Sequence, residues 1–152
     1  MIIVQEQAFD VGREYARMKA GHTDIGATAM FVGTVRDVSD GNSVSDMTLE
    51  HYPGMTEKAL TDIELEARGR WPISDSLIVH RFGKLQPGDD IVLVITCSPH
   101  REAAFEACQF LMDWLKTKAP FWKLEQDGVQ SRWVQSKQSD DEAALRWNKN
   151  VK

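Results

Sequence analysis

The chain has 152 residues, 42% apolar and 27% charged, with a formal net charge of −5. That length makes one ordinary domain, 1–152, able to bury a hydrophobic core without disulfide or metal staples. The acidic balance excludes a general nucleic-acid binder, no apolar run approaches the ~20 residues of a membrane helix, and the start Met1-Ile2-Ile3-Val4-Gln5 lacks the basic flank of a secretion signal. The expectation is therefore a cytoplasmic protein whose partners include neither nucleic acid nor membrane. In an acidic protein, clustered cations point to a small anionic ligand.

Ile2 to Gln5 reads as a short strand, and Asp10 can cap a helix to about Met18 with Val11, Tyr15 and Met18 on one face. Gly21 to Asp24 is a turn. Gly26 to Arg36 alternates as a strand, and within it Gly33 leaves room for a close approach to the backbone. Asp37 to Asp46 is polar and reads as a mobile loop beside Arg36, either a lid or a plain connection. Met47 to Tyr52 is a strand that Pro53-Gly54 breaks. Thr56 is then expected to cap a helix to about Arg68, with Ala59, Leu60, Ile63 and Ala67 buried and Gly69 just past its end.

Ser76 to Gly83 reads as one strand, Gln86-Pro87-Gly88-Asp89 as a turn, and Ile91 to Cys97 as an almost wholly apolar strand central in its sheet. Ser98 is expected to cap a long helix with Pro99 in its first turn and Ala104, Cys108, Leu111, Met112 and Leu115 as its core stripe. Pro120 stops that helix, which leaves Lys116 and Lys118 on its last turn. Phe121 and Trp122 read as a short irregular link to Lys123. Arg132 to Val134 is a strand, and Ser139-Asp140-Asp141-Glu142 has capping-box spacing for a helix through Trp147. Mixed strands and helices, with hairpin-like connections between Leu77 and Cys97, favour α+β over a strictly alternating parallel fold.

Three features carry chemistry. Lysines beside apolar rings around Pro120 lose solvation of their charged form and become usable as base or nucleophile. For Lys118 an ordinary cationic helix end suffices; for Lys116 and Lys123 function is the better reading. His100 and Arg101 sit at a helix N-terminus, where the macrodipole disfavours cations unless an anion binds at the same turn. A helix from Ser98 to Lys118 is about 30 Å long, so its two basic ends cannot share one pocket in a single copy; they are separate sites, or a second copy joins them. Of the two cysteines, Cys108 reads as core and Cys97 leaves a reactive thiol near a helix start open. His51 and His80 read as packed or surface histidines. No glycine-rich phosphate loop, zinc-spaced Cys/His set or Ser–His–Asp spacing occurs. On these grounds a lysine Schiff-base enzyme stands beside any other reading.

Four stretches share a likeness: Glu50-His51-Tyr52-Pro53-Gly54-Met55-Thr56-Glu57-Lys58-Ala59-Leu60, His80-Arg81-Phe82-Gly83, Ser98-Pro99-His100-Arg101, and Leu115 to Lys123. Together with Phe31 to Arg36, they resemble the large, catalytic subunit of molybdopterin synthase, over about Gly26 to Trp147. The resemblance implies an α+β protein of the α/β hammerhead type with an additional antiparallel β subdomain. It implies a sulfurtransferase, beside which stands a module that only clamps a ubiquitin-like tail without chemistry; no cofactor is expected. The family's homodimer carries a small ubiquitin-like subunit at each end, giving a heterotetramer. Sulfur passes from that subunit's C-terminal thiocarboxylate to cyclic pyranopterin monophosphate, in two transfers that make the dithiolene. By matching position, Lys116 and Lys123 are the catalytic candidates. Arg36, His100 and Arg101 would hold phosphate and pterin, and Thr34, Val35, Leu124 and Glu125 would line the site. Thr34 stands where some relatives have lysine, and Lys137 where relatives have arginine, which weakens a bidentate anion contact there.

Overall fold

The structure is a computed structural model that describes residues 1–39, 41–126, 131–134 and 138–148. In chain order its elements are β1 (Ile2–Gln5), α1 (Val11–Lys19), β2 (Ala27–Thr34), β3 (Val38–Ser39), β4 (Asn42–Ser43), β5 (Asp46–His51), α2 (Met55–Arg70), β6 (Asp75–Arg81), β7 (Gly83–Leu85), β8 (Asp90–Ser98), α3 (Arg101–Lys118), β9 (Phe121–Gln126), β10 (Ser131–Val134) and α4 (Gln138–Leu145).

The apolar run in β8 makes it a central strand. The main sheet has the order β1-β6-β8-β2, with β1 parallel to β6 and the other pairs antiparallel. Both faces of its middle strands are covered, which is why they lack a polar alternation. Leu77, Val79, Leu93 and Ile95 pack with Met18 of α1 on one side. Ile78, Val92 and Val94 pack on the other with Leu60 of α2 and Ala104 and Leu111 of α3. Truncating a fully buried residue such as Leu93 to alanine would cost about 2–5 kcal/mol. A second sheet, β10-β9-β5-β7, is wholly antiparallel. The α+β expectation and its additional antiparallel sheet are both met. Among the described residues no helix is long and apolar enough to cross a membrane.

Several boundaries differ from expectation, each for a local reason. Gly54, at φ +85°, is the N-cap of α2, and the Glu57 carboxylate accepts its N–H at 2.6 Å. Thr56 instead lies in the first turn, its hydroxyl donating to the Tyr52 carbonyl at 2.8 Å and facing His51 Nδ1 at 3.1 Å. Gly69 is inside α2, because the helix continues to Arg70, whose guanidinium holds Glu66 at 2.8 Å and the Trp147 carbonyl at 3.1 Å. The strand expected over 76–83 divides: Gly83, at φ +87°, turns the chain out of the main sheet so that β7 joins the second one. The polar stretch after Arg36 is not a plain loop but contains the two-stranded ribbon β3–β4, with Val38 opposite Ser43. Ser98 ends β8, and the cap of α3 is His100. Phe121 and Trp122 are not an irregular link; they open β9 at once, paired with His51 and Glu50 of β5. Ser139 falls inside α4.

Candidate active site

The end of β2 is built on a bulge. Register against β8 shifts between Gly33 and Thr34, and the Thr34 hydroxyl donates to Asp90 Oδ1 at 3.0 Å. The close approach expected at Gly33 is real, but it comes from Val92, whose Cγ1 lies 2.7 Å from where a Cβ would stand. Val35 is buried and tied to the turn at 86–89: its N–H donates to the Asp89 carbonyl at 2.9 Å, and its carbonyl accepts from Gly88 N–H at 2.8 Å. This fixes the backbone immediately before Arg36, which is exposed. Val35, Arg36, Val38, Pro87 and Gly88 help line an open cleft of about 860 Å³ between that turn and the ribbon.

At the start of α3, the Ser98 hydroxyl donates to the Pro72 carbonyl at 2.9 Å and accepts from His100 N–H at 3.3 Å. His100 makes no side-chain cap bond, and His100 and Arg101 are both exposed. The helix then folds back over β8 and β2, with the Thr96 hydroxyl donating to the Ala104 carbonyl at 2.6 Å. Because β2 and β8 are antiparallel, the end of β2 and the end of α3 lie at the same edge of the main sheet. Thr34, Val35, Arg36 and Lys116 thus share one end. His100 and Arg101 are at the other, about 22 Å along the helix from Lys116 for 15 residues at 1.5 Å each. One protomer does not bring the two groups together.

Lys123, Leu124 and Glu125 lie on β9, in register with Leu49, Thr48 and Met47 of β5 and with Val134, Trp133 and Arg132 of β10. The side chains of residues 122–126 are outside the described set, and so is Lys137.

Charge pairing separates these positions from ordinary surface cations. Arg17, Arg68, Arg70 and Arg146 each hold a carboxylate, and the Arg81 guanidinium donates to the Glu6 and Asp90 carbonyls. Among the described residues, the side chains of Arg36, Arg101 and Lys116 have no hydrogen bond or ion pair; Arg13 is the other such arginine. Lys118 is accounted for locally, with its ammonium 4.1 Å from the Trp114 ring centroid. Lys116 is exposed, so the apolar surroundings expected around its amine are not found among the described residues.

The thiols are not part of this chemistry. Cys97 is fully buried, with its Sγ 3.6 Å from the Thr28 hydroxyl, and burial pushes its pKa up, against the reading of a reactive thiol. Burial likewise pushes Cys108 up to about 11. His51 and His80 are packed. His80 is buried and stacked face to face on Phe121 with centroids 3.7 Å apart, while His51 lies against Phe82 at 4.5 Å and Phe121 at 5.9 Å. Sequence reasoning missed this ring cluster, whose only signal was the His80-Arg81-Phe82-Gly83 stretch.

The fold and site define a class: an α+β protein that presents unpaired cations at both ends of its longest helix, as an anion-handling protein does. The model of the family described as MoaE protein matches residues 4–118. A relative from Ralstonia nicotianae, named molybdopterin synthase catalytic subunit, is 56% identical over 96% of this chain and 83% of its own. The solved structure of a molybdopterin biosynthesis MoaE protein from Burkholderia ambifaria superposes with a TM-score of 0.84 at 51% identity, covering 100% of this chain and 99% of that one. Molybdopterin synthase from Staphylococcus aureus superposes at 0.80 with 32% identity, over 88% and 96% of the two chains. The chain belongs to the MoaE family.

Proposed function

We propose that this chain is the catalytic subunit of a molybdopterin synthase, a sulfurtransferase of molybdenum cofactor biosynthesis. It takes sulfur from the C-terminal thiocarboxylate of a small ubiquitin-like subunit and delivers it to cyclic pyranopterin monophosphate. The observation that carries the residue assignment is that both ends of α3 carry cations without partners among the described residues: Arg36 and Lys116 at one end, Arg101 at the other. A phosphate-bearing substrate supplies the missing counter-charge.

The roles follow from chemistry. The thiocarboxylate sulfur bonds to a pterin side-chain carbon and displaces oxygen there, and water then cleaves its bond to the tail's acyl carbon, leaving a carboxylate on the tail; the acyl oxygen and the opening phosphate gather negative charge on the way. An ammonium at Lys116 or Lys123 stabilises that charge, and the other amine moves protons as sulfur adds. Arg36, His100 and Arg101 hold phosphate and pterin; Thr34, Val35, Leu124 and Glu125 line the cavity. The sulfur arrives on the partner's tail, so neither buried cysteine is needed.

The distance between the two basic ends favours a homodimer, the core of a heterotetramer with two small subunits. β2 is the outer strand of the main sheet, with Met30 and Phe31 exposed by 41% and 39%. Antiparallel pairing of β2 with β2 of a second copy continues the sheet across a twofold axis. It also sets His100 and Arg101 of one copy beside Arg36 and Lys116 of the other. Incubation with thiocarboxylated small subunit and pyranopterin tests the whole reading. Sulfur appearing in the pterin supports it. Tail binding without transfer leaves only a clamp, and borohydride trapping of a carbonyl substrate on a lysine makes it a Schiff-base enzyme.

A further inference from the structure

The corner between α3 and β9 is held by rings rather than by a loop. α3 ends at Lys118, and β9 begins at Phe121, whose N–H donates to the Ala119 carbonyl at 2.8 Å across Pro120. The Phe121 ring lies flat on His80, at 3.7 Å and 15° between planes. His80 is itself fixed: it belongs to β6 in the main sheet, is buried, and its Nδ1 lies 2.8 Å from the Arg81 carbonyl, which can only accept, so Nδ1 carries the hydrogen. His51, opposite Phe121 in the register of β5 and β9, flanks the same ring and is held at Nδ1 by Thr56. The phenyl ring is therefore one contact through which the main sheet holds the start of β9 in the second sheet. Lys123 is two residues further along that strand, and Lys116 is five residues before Phe121.

We propose that His80 is a positioning residue: through its stack on Phe121 it fixes where Lys123 stands relative to Lys116. The inference rests on the assignment of those two lysines above. The imidazole acts here as a flat, rigid surface against the phenyl ring. A displacement of about 1 Å at a reacting group costs up to a hundredfold in rate, so a small slip of the ring reaches turnover.

The test compares His80→Phe, which keeps a planar ring against Phe121, with His80→Leu, which keeps the apolar volume and loses the plane. Each full-length variant is assayed with thiocarboxylated small subunit and pyranopterin. Separately, the free protein is treated with a limiting amine-reactive ester, and acylation of each lysine is read by mass spectrometry. For His80→Leu, kcat falls about tenfold or more with the pyranopterin KM within about twofold, and Lys123 acylation changes at least about threefold while that of Lys58 does not. His80→Phe restores kcat and Lys123 acylation to within about threefold of wild type. Wild-type turnover and labelling in folded His80→Leu overturn the proposal. So does His80→Phe failing as badly as His80→Leu, because the ring nitrogen would then be the operative group. If His80→Leu does not fold, Phe121→Leu against Phe121→Tyr makes the same contrast from the other side of the stack. Labelling that shifts with kcat unchanged supports the positioning of Lys123 and removes Lys123 from the reaction, so a failure of the earlier assignment is told apart from a failure of this one.

Discussion

The two ends of α3 both carry cations, and they hold them for different reasons. At the C-terminal end the macrodipole welcomes positive charge, and Lys118 needs nothing more than the face of Trp114. At the N-terminal end the dipole opposes His100 and Arg101, and among the described residues no carboxylate pairs with Arg101. The lesson is that an unfavourably placed cation says more about a missing anion than a favourably placed one. The C-terminal end earns its functional reading only through Lys116, which is exposed and unpaired, and through its place beside the end of β2.

Experiments can break this comparison in order of expected size. Lys116→Ala should slow sulfur transfer by at least about a hundredfold, the loss of a donor aimed at developing charge, ~3 kcal/mol. Its melting temperature should stay unchanged, since the side chain is exposed. Turnover within a fewfold of wild type would remove Lys116 from the mechanism.

Arg101→Ala should raise the pyranopterin KM about tenfold or more, as the charge-assisted contact to phosphate is lost. The more telling measurement is mixing. Lys116→Ala and Arg101→Ala proteins, each impaired alone, should recover activity when dissociated and reassembled together, because a mixed dimer contains one intact shared site. No recovery, with exchange verified by mass spectrometry, would confine each site to one copy.

Between the two ends sits Cys108, buried in the core stripe. Its folded pKa of about 11 stands above the ordinary thiol value of 9.0, so the folded chain keeps a proton that the unfolded chain gives up. Stability from this group is complete below pH 9 and is lost as pH rises toward 11, at most about 1.4 kcal/mol per pH unit. Urea titrations from pH 8 to 10.5 should show that decline, and Cys108→Ala should flatten it. Smallest of all, Lys118→Ala should leave activity within about twofold and cost about 0.5–1 kcal/mol of stability, the value of an exposed cation–π contact. A loss comparable with that of Lys116→Ala would make the helix end as a whole functional.

What was legible in the chain follows from how local each determinant is. The apolar run at 91–97 and the stripe from Ala104 to Leu115 declare the central strand and the long helix, because burial on two faces or on one helical face leaves a periodic mark. Caps were harder. Ser98 and Thr56 are good capping residues by type, yet the chain spends the Ser98 hydroxyl on Pro72 and the Thr56 hydroxyl on Tyr52. The Gly54–Glu57 pair was the better signal, three residues apart. The ribbon after Arg36 was signalled by Asp40-Gly41, a hairpin dipeptide read as loop chemistry. β9 could not be read at all from its neighbours, since what makes it a strand is pairing with β5, as in Leu49 opposite Lys123. As for the site, charge and dipole reasoning pointed to the two basic clusters, but the proposal that they act together in sulfur transfer came from family likeness.

The union of α3 and β9 without slack also limits how this protein can change length. A single extra residue between Lys118 and Phe121 that is not bulged out at the corner breaks the His80 stack or slides β9 one place along β5, which exchanges the strand's two faces. Drift in size is tolerated at the tip of the β3–β4 ribbon, where Gly41 has open space around it. The spacing from Lys116 to Lys123 is thus guarded by the architecture, independently of any demand the reaction makes on it.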